Sequence, residues 1–114
     1  MSNRIDQKFS TLEKEKKKAL VVFVTSGDPN FHSSKKIINS LPKFGADFIE
    51  IGIPFSDPMA DGPTIQKSSQ RAIKSGINLK KTFSLFIYYT LAHLVMFDDI
   101  KLIKHLYKVS FYIN

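Results

Sequence analysis

Apolar residues along the chain follow two different periods, and the switches between them mark its elements. Near the N-terminus Ile5, Phe9 and Leu12 recur at spacings of four and three, which places them on one face of a short amphipathic helix within residues 1–18. A lysine-rich run ends that helix. Residues 19–25 (ALVVFVT) are then continuously apolar or β-branched, the pattern of a strand buried on both faces, as in a parallel sheet. Ser26-Gly27-Asp28-Pro29-Asn30 is a dense turn signal directly after it. From Ser33 to Phe44 the period is helical, with Ile37, Ile38, Leu41 and Phe44 sharing a face. Pro42 interrupts it: inside a helix it removes one hydrogen bond and clashes with the carbonyl four residues back, costing about 3 kcal/mol. A kink or an end is therefore expected near Leu41, with Gly45 at the exit.

Residues 48–53 (FIEIGI) alternate strictly and predict a second strand. Ile49, Ile51 and Ile53 point one way, while Phe48, Glu50 and Gly52 point the other. The loop 54–63 (PFSDPMADGP) is rich in turn formers and acids. Pro63 suits the first position of a helix running to about Ser75, and Gly76 suits the place just past its end. A further helical segment starts near Leu79 and continues into the apolar stretch after Phe83. Strand, helix, strand, helix with short joints is the rhythm of an α/β fold with a parallel sheet.

Composition narrows the class. A length of 114 residues with 43% hydrophobic residues makes one modest domain, and 24% charged with 12% aromatic residues is too apolar for a disordered tail. The absence of cysteine excludes disulfide scaffolds, thiol catalysis and cysteine-based zinc sites. The first eighteen residues space their few apolar side chains three and four apart and hold no continuous apolar run of the kind a secretory h-region needs. The longest apolar candidate for a membrane span, Phe83 to Phe97, is broken by Ser84, Thr90 and His93, short of the roughly 18 residues a span requires. No membrane association and a cytoplasmic location are expected. The net charge is +7, but the lysines are scattered apart from Lys14, Lys16, Lys17 and Lys18, which are interleaved with Glu13 and Glu15. Only Arg4 and Arg71 carry the fork that phosphate and base readers favour, so a solvated lysine surface is the plainer reading than nucleic-acid binding.

Candidate chemistry lies in the acids Asp47, Glu50, Asp57 and Asp61. A carboxylate on a buried strand face must be paired, solvated by a pocket or raised in pKa by desolvation, and the last of these suits a general acid or base. Glu50 meets that description, and Gly52 on the same face leaves room for a ligand. Asp61, next to a helix start, is favoured as the ionised form, which would make the two an acid–base pair. The bland readings stay open beside it: Glu50 as an edge residue facing water, Asp61 as a helix cap, and Asp57 as a turn residue before Pro58. The acids match no magnesium-binding loop, and no metal site is assigned. Gly27-Asp28-Pro29 reads only as a turn, and His32, His93 and His105 are isolated.

FVTSGDP at 23–29, followed by GADFIEIGIPFSDPMADGPTIQ at 45–66, resembles the α subunit of tryptophan synthase, and the similarity continues through QRAIKSGINLKKTF to about Phe83. The resemblance implies a (β/α)8 TIM barrel of which residues 1–85 are the N-terminal βαβα portion. It implies a lyase of tryptophan biosynthesis that cleaves indole-3-glycerol phosphate to indole and glyceraldehyde 3-phosphate without a cofactor. Pyridoxal phosphate would belong to a partner β subunit. By motif, Glu50 matches the general acid–base that protonates the indole ring carbon. Asp61 matches the carboxylate that accepts from the indole N–H, and Phe23 and Ile65 match indole-pocket positions. Asp57 and Pro58, in the loop 54–59, match the contact with the β subunit. Barrel enzymes carry such groups at the C-terminal ends of strands, where the alternation turns Glu50 to the barrel interior and the three isoleucines to the helices.

Residues 86–114 carry no motif of that family, and the reading expects a helical or irregular tail, either a frameshifted or prematurely ended sequence or an amphipathic segment covering the sheet. A whole barrel takes about 250 residues. The chain alone is thus expected to lack useful lyase activity. The alternative is a non-catalytic fragment that binds a β subunit or its own copies.

Overall fold

The computed structural model describes residues 3–57 and 60–94, the last four by backbone alone. The elements run α1 (Arg4–Lys14), β1 (Val21–Thr25), α2 (Phe31–Ser40) with a 3-10 turn (Leu41–Phe44), β2 (Phe48–Gly52), α3 (Pro63–Lys74) and α4 (Leu79–Leu94). The two strands pair in parallel, with Val21 opposite Phe48, Phe23 opposite Glu50 and Thr25 opposite Gly52. That is the expected βαβα order.

Local chemistry sets the helix ends. Asn3 caps α1 reciprocally: its side chain accepts from the Asp6 N–H at 2.8 Å, and the Asp6 carboxylate accepts from the Asn3 N–H at 3.3 Å. The chain turns back at Lys16, whose φ is 54°, while the Lys17 N–H donates to the Leu12 carbonyl at 2.9 Å. Asn30 caps α2 by accepting from the Ser33 N–H. The α-helix gives way at Leu41 to 3-10 winding that contains Pro42, and Gly45 leaves it at φ 95°, as the proline and glycine predicted. The tighter winding breaks the 3.6-residue period, so Phe44 leaves the packed face and is 82% exposed, whereas Ile38 is 1% exposed. Pro63 opens α3 at its first turn, and Gly76 (φ 84°) lies just past its end.

Among the described residues the apolar core is Leu12, Ile38, Ala72, Ile77 and Leu85, drawn from every helix and the α3–α4 joint. α1 docks at the N-terminal end of the sheet. The Phe9 ring stacks on Phe48 at 4.9 Å, and Lys8 reaches Asp47 at 2.9 Å. Asp47 also accepts the Leu20 N–H at 2.9 Å, joining α1 to the starts of both strands.

β1 differs from its sequence reading. A strand buried on both faces was expected, yet Val21 and Phe23 are 50% and 45% exposed. The register places Phe23 and Glu50 on one face and Val22, Val24, Ile49 and Ile51 on the other. The second face packs against helices, while the first lies open along its middle because two strands enclose nothing. α4 also passes through residue 85 as one helix, so the expected boundary at 85/86 falls inside an element. Residues 95–114, most of the expected tail, lie outside the described residues.

The Leu20 N–H, and after it Lys8, hold the Asp47 carboxyl below the ordinary carboxylate range. A depressed folded-state pKa gives stability that is present above the unfolded carboxylate pKa and is lost as pH falls through the folded one. Between pH 7 and roughly pH 3 the melting temperature should therefore fall further for the unaltered chain than for Asp47→Asn. Circular-dichroism melts at the two pH values measure this, and equal falls would show that Asp47 contributes nothing to acid sensitivity.

Candidate functional site

The turn that follows β1 is bonded to three helices. Thr25 Oγ1 lies 2.6 Å from Ser68 Oγ in buried surroundings, and Ser68 donates to the Ile65 carbonyl at 2.8 Å. A hydroxyl has one proton to give, so Thr25 is the donor of the shorter bond. Ser26 donates to Thr82 Oγ1 at 3.0 Å, tying the turn to α4. The Gly27 N–H donates to Ser34 Oγ on α2 at 3.0 Å, and the Ser75 hydroxyl, which donates to the Ala72 carbonyl at 2.8 Å, lies 3.2 Å from the Gly27 carbonyl. Gly27 has φ 79°, and a Cβ there would stand 2.7 Å from Ile77 Cγ1, so both backbone and packing require glycine. Asp28 receives both arms of Arg71 at 2.8 Å, and this carboxylate raises the guanidinium pKa. Sequence reasoning took residues 27–29 for a turn alone. The Asp28–Arg71 fork spans 43 positions and leaves no local signal beyond Arg71 being one of two arginines.

Beside this turn lies an open cleft of about 270 Å³ between β1, α2 and α3. Phe23, Ile37 and Ile65 supply apolar wall, and Thr25, Ser68 and Arg71 supply polar wall. Phe23 and Ile65, predicted as pocket residues, are thus brought to one cavity. The space expected over Gly52 is already occupied, because a Cβ there would collide with the Phe23 ring. Glycine at 52 seats that aromatic side chain across the sheet instead of leaving a vacancy above it.

Glu50 stands on the same face as Phe23 and directly opposite it in register. Its side chain is exposed, which corrects the reading of a carboxylate on a buried strand face. Asp61 is exposed just ahead of α3, and its main-chain carbonyl accepts from Gln66 Nε2 at 2.7 Å. Gln66 also donates its backbone N–H to the Gly62 carbonyl at 3.0 Å, so one residue fixes the approach of the Asp61 loop to α3. Sequence reasoning missed Gln66, although its position in the first turn of a helix opened by proline was the available signal. Asp57 is exposed in the β2–α3 loop, and Pro58 lies outside the described residues. Among the described residues no three histidine, aspartate or glutamate side chains stand together as a metal site, and no helix is long and apolar enough to cross a membrane.

The family model described as tryptophan synthase alpha chain matches residues 9–96. The chain belongs to the tryptophan synthase alpha chain family. The match extends past Phe83, where the recognisable motifs stop, and covers all of α4. A tryptophan synthase alpha chain from Caldanaerobacter subterraneus subsp. tengcongensis is 55% identical over 83 residues, which are 73% of this chain and 32% of that one. One from Geotalea daltonii is 59% identical over 78 residues, 68% of this chain and 30% of that protein. The crystal structure of tryptophan synthase subunit alpha from Legionella pneumophila superposes with a TM-score of 0.73 at 38% identity, covering 78% of this chain and 34% of that one. The chain thus spans about a third of the length of the relatives it matches, and its fold is the opening portion of the tryptophan synthase alpha TIM barrel.

The buried Thr25–Ser68 bond is directly testable. Ser68→Ala leaves the Thr25 hydroxyl without its acceptor and should lower folding stability by about 1–3 kcal/mol. Urea unfolding followed by circular dichroism measures the loss, and an unchanged midpoint would show that the bond stabilises nothing.

Proposed function

We propose that this chain supplies the first two β/α units and both reacting carboxylates of an indole-3-glycerol phosphate lyase site. The observation that carries this reading is the register that sets Glu50 beside Phe23 on the face a barrel would enclose, with the motif-bearing loop to Asp61 leaving the same end of the sheet. Phe23 and Ile65 line one cleft between β1, α2 and α3, whose lining includes neither Glu50 nor Asp61, so the ring would have to sit where Phe23 meets the Glu50 face.

The chemistry follows from the bond that breaks. The C–C bond between indole carbon 3 and the glycerol side chain is cleaved. Its electron pair returns to the ring, carbon 3 gains a proton, and the adjacent side-chain hydroxyl loses one to become the aldehyde. Protons balance, so a carboxylate that gives one and takes one is sufficient. Glu50 has that role, and Asp61 accepts from the indole N–H and stabilises positive charge on the ring while carbon 3 is tetrahedral. No cofactor enters this step, and pyridoxal phosphate belongs to a β subunit that receives the indole. The family's setting is cytoplasmic biosynthesis.

In this chain the Glu50 face is open to water, and a retro-aldol site works by holding the ring in a dry, shaped cavity. Purified alone, the chain should release no indole from indole-3-glycerol phosphate. A chimera in which residues 1–94 replace the matching part of the Caldanaerobacter alpha chain should release it. Glu50→Gln or Asp61→Asn in that chimera should lower kcat by at least roughly 100-fold. A chimera as active with Glu50→Gln as without it would remove Glu50 from the reaction, and indole from the isolated chain that Glu50→Gln abolishes would overturn its inactivity.

A non-catalytic role is the second reading. Exposed Phe55 and Asp57 present the β2–α3 loop to a β subunit, and co-purification with one in the absence of indole formation would favour it.

A further inference from the structure

We propose that the chain reversal after α1 forms a binding site for a free amphiphilic anion, a medium-chain carboxylate of the fatty-acid type. The site lies at the start of the sheet, shares no residue with the cleft beside Thr25, and is independent of the lyase reading.

The backbone builds it. The chain turns back at Lys16 in the left-handed region, with the Lys16 N–H donating to the Glu13 carbonyl at 3.0 Å and the Lys17 N–H to the Leu12 carbonyl at 2.9 Å. This helix ending folds residues 16–19 back against the last turns of α1. Between the two lies a cleft of about 500 Å³, with every lining residue drawn from the stretch Phe9 to Ala19. One short segment therefore makes the whole site, and its volume is that of a small-ligand pocket.

Its apolar and charged groups are segregated. Leu12 is buried and supplies the floor, while Phe9, whose ring stacks on Phe48, remains half-exposed as a wall, and Ala19 returns opposite. Phe9 and Leu12 are three residues apart on the helix, so the apolar surface runs as a strip along its axis. A strip suits a linear hydrocarbon chain better than a flat ring. The rim is Lys16, Lys17 and Lys18. Lys17 is taken by Glu15 at 2.9 Å, whereas among the described residues Lys16 and Lys18 have no carboxylate partner.

Two unpaired ammonium groups above an apolar floor complement a single carboxylate on an alkyl chain. The end of a helix ordinarily repels an anion. Here the carbonyls of Thr11, Leu12 and Glu13 each already accept an N–H from residues 15–17, which blunts that repulsion. The Glu13 side chain also lines the cleft, and its carboxylate opposes the head group. A recess with Leu12 at its base admits one chain end, so the occupant is a free amphiphile rather than a bilayer surface.

Isothermal titration calorimetry of the full chain with octanoate, decanoate and octanol tests the proposal. Decanoate should bind 1:1 and several-fold tighter than octanoate, because the added methylenes meet apolar wall. Octanol keeps the chain and loses the charge, and should bind roughly tenfold more weakly than octanoate. Lys16→Gln with Lys18→Gln should weaken decanoate binding roughly tenfold, whereas Lys43→Gln with Lys74→Gln, the same change in net charge elsewhere, should leave it within about twofold. Glu13→Gln should tighten binding, which lost packing cannot do. Circular dichroism confirms the fold of each variant, and if the Lys16, Lys18 variant fails to fold, the octanol comparison and Glu13→Gln decide. A folded chain with no saturable decanoate binding, octanol bound as well as octanoate, equal losses in the two double variants, or no gain from Glu13→Gln would each overturn the proposal. So would binding to phosphatidylglycerol vesicles without binding of free decanoate. Indole release by the chimera, or its absence, bears on the lyase reading alone.

Discussion

The turn after β1 is the constraint on which the rest of this structure depends. Three helices reach it, and they do so through hydrogen bonds more than through apolar bulk: Ser34 from α2, Ser68 and Arg71 from α3, and Thr82 from α4. With only five buried apolar residues in the described core, satisfied hydroxyls fill interior positions that a larger domain would give to leucine or isoleucine. They can do so because no buried side-chain polar atom among the described residues lacks a partner, and a satisfied polar network rigidifies where a partly satisfied one destabilises. Gly27 makes the convergence possible. Its left-handed backbone lets Ile77 press against the turn, which brings the α3–α4 joint onto the end of β1.

Features with local causes were legible in the sequence. Pro42 and Gly45 marked the break and exit of α2, Pro63 and Gly76 bracketed α3, and the alternation of residues 48–53 oriented Glu50. Features whose causes lie far apart in the chain were not. Thr25 and Ser68 are 43 positions apart and Ser26 and Thr82 are 56 apart, and neither pair leaves a periodic trace. The burial of β1 was misread for a related reason. A continuous apolar run states that a strand suits a two-sided interior, and it says nothing about whether both sides are covered.

The candidate site divides along the same line. Glu50, Asp61 and Ile65 became candidates because the stretch 45–66 is long and specific, and the facing of Glu50 followed from the period of two. Their surroundings depend on neighbours that two strands do not provide. Gly52 shows how far local reading reaches: it was correctly placed on the Glu50 face, yet its purpose is to seat the Phe23 ring rather than to leave space.

Placement and environment thus have separate origins in this fold. The contacts that hold α3 against β1, namely Thr25 with Ser68 and Asp28 with Arg71, lie wholly within residues 25–71, so Phe23 and Ile65 face one cleft without a closed barrel. The register that puts Glu50 opposite Phe23 likewise needs only β1 and β2. What closure adds is exclusion of water, which strengthens every electrostatic interaction inside a site and turns a correctly oriented carboxylate into an effective acid or base. The first two β/α units therefore set the facing of Glu50 and the cleft between Phe23 and Ile65 by contacts of their own, whereas the dryness of the Glu50 face depends on neighbours that two strands do not provide.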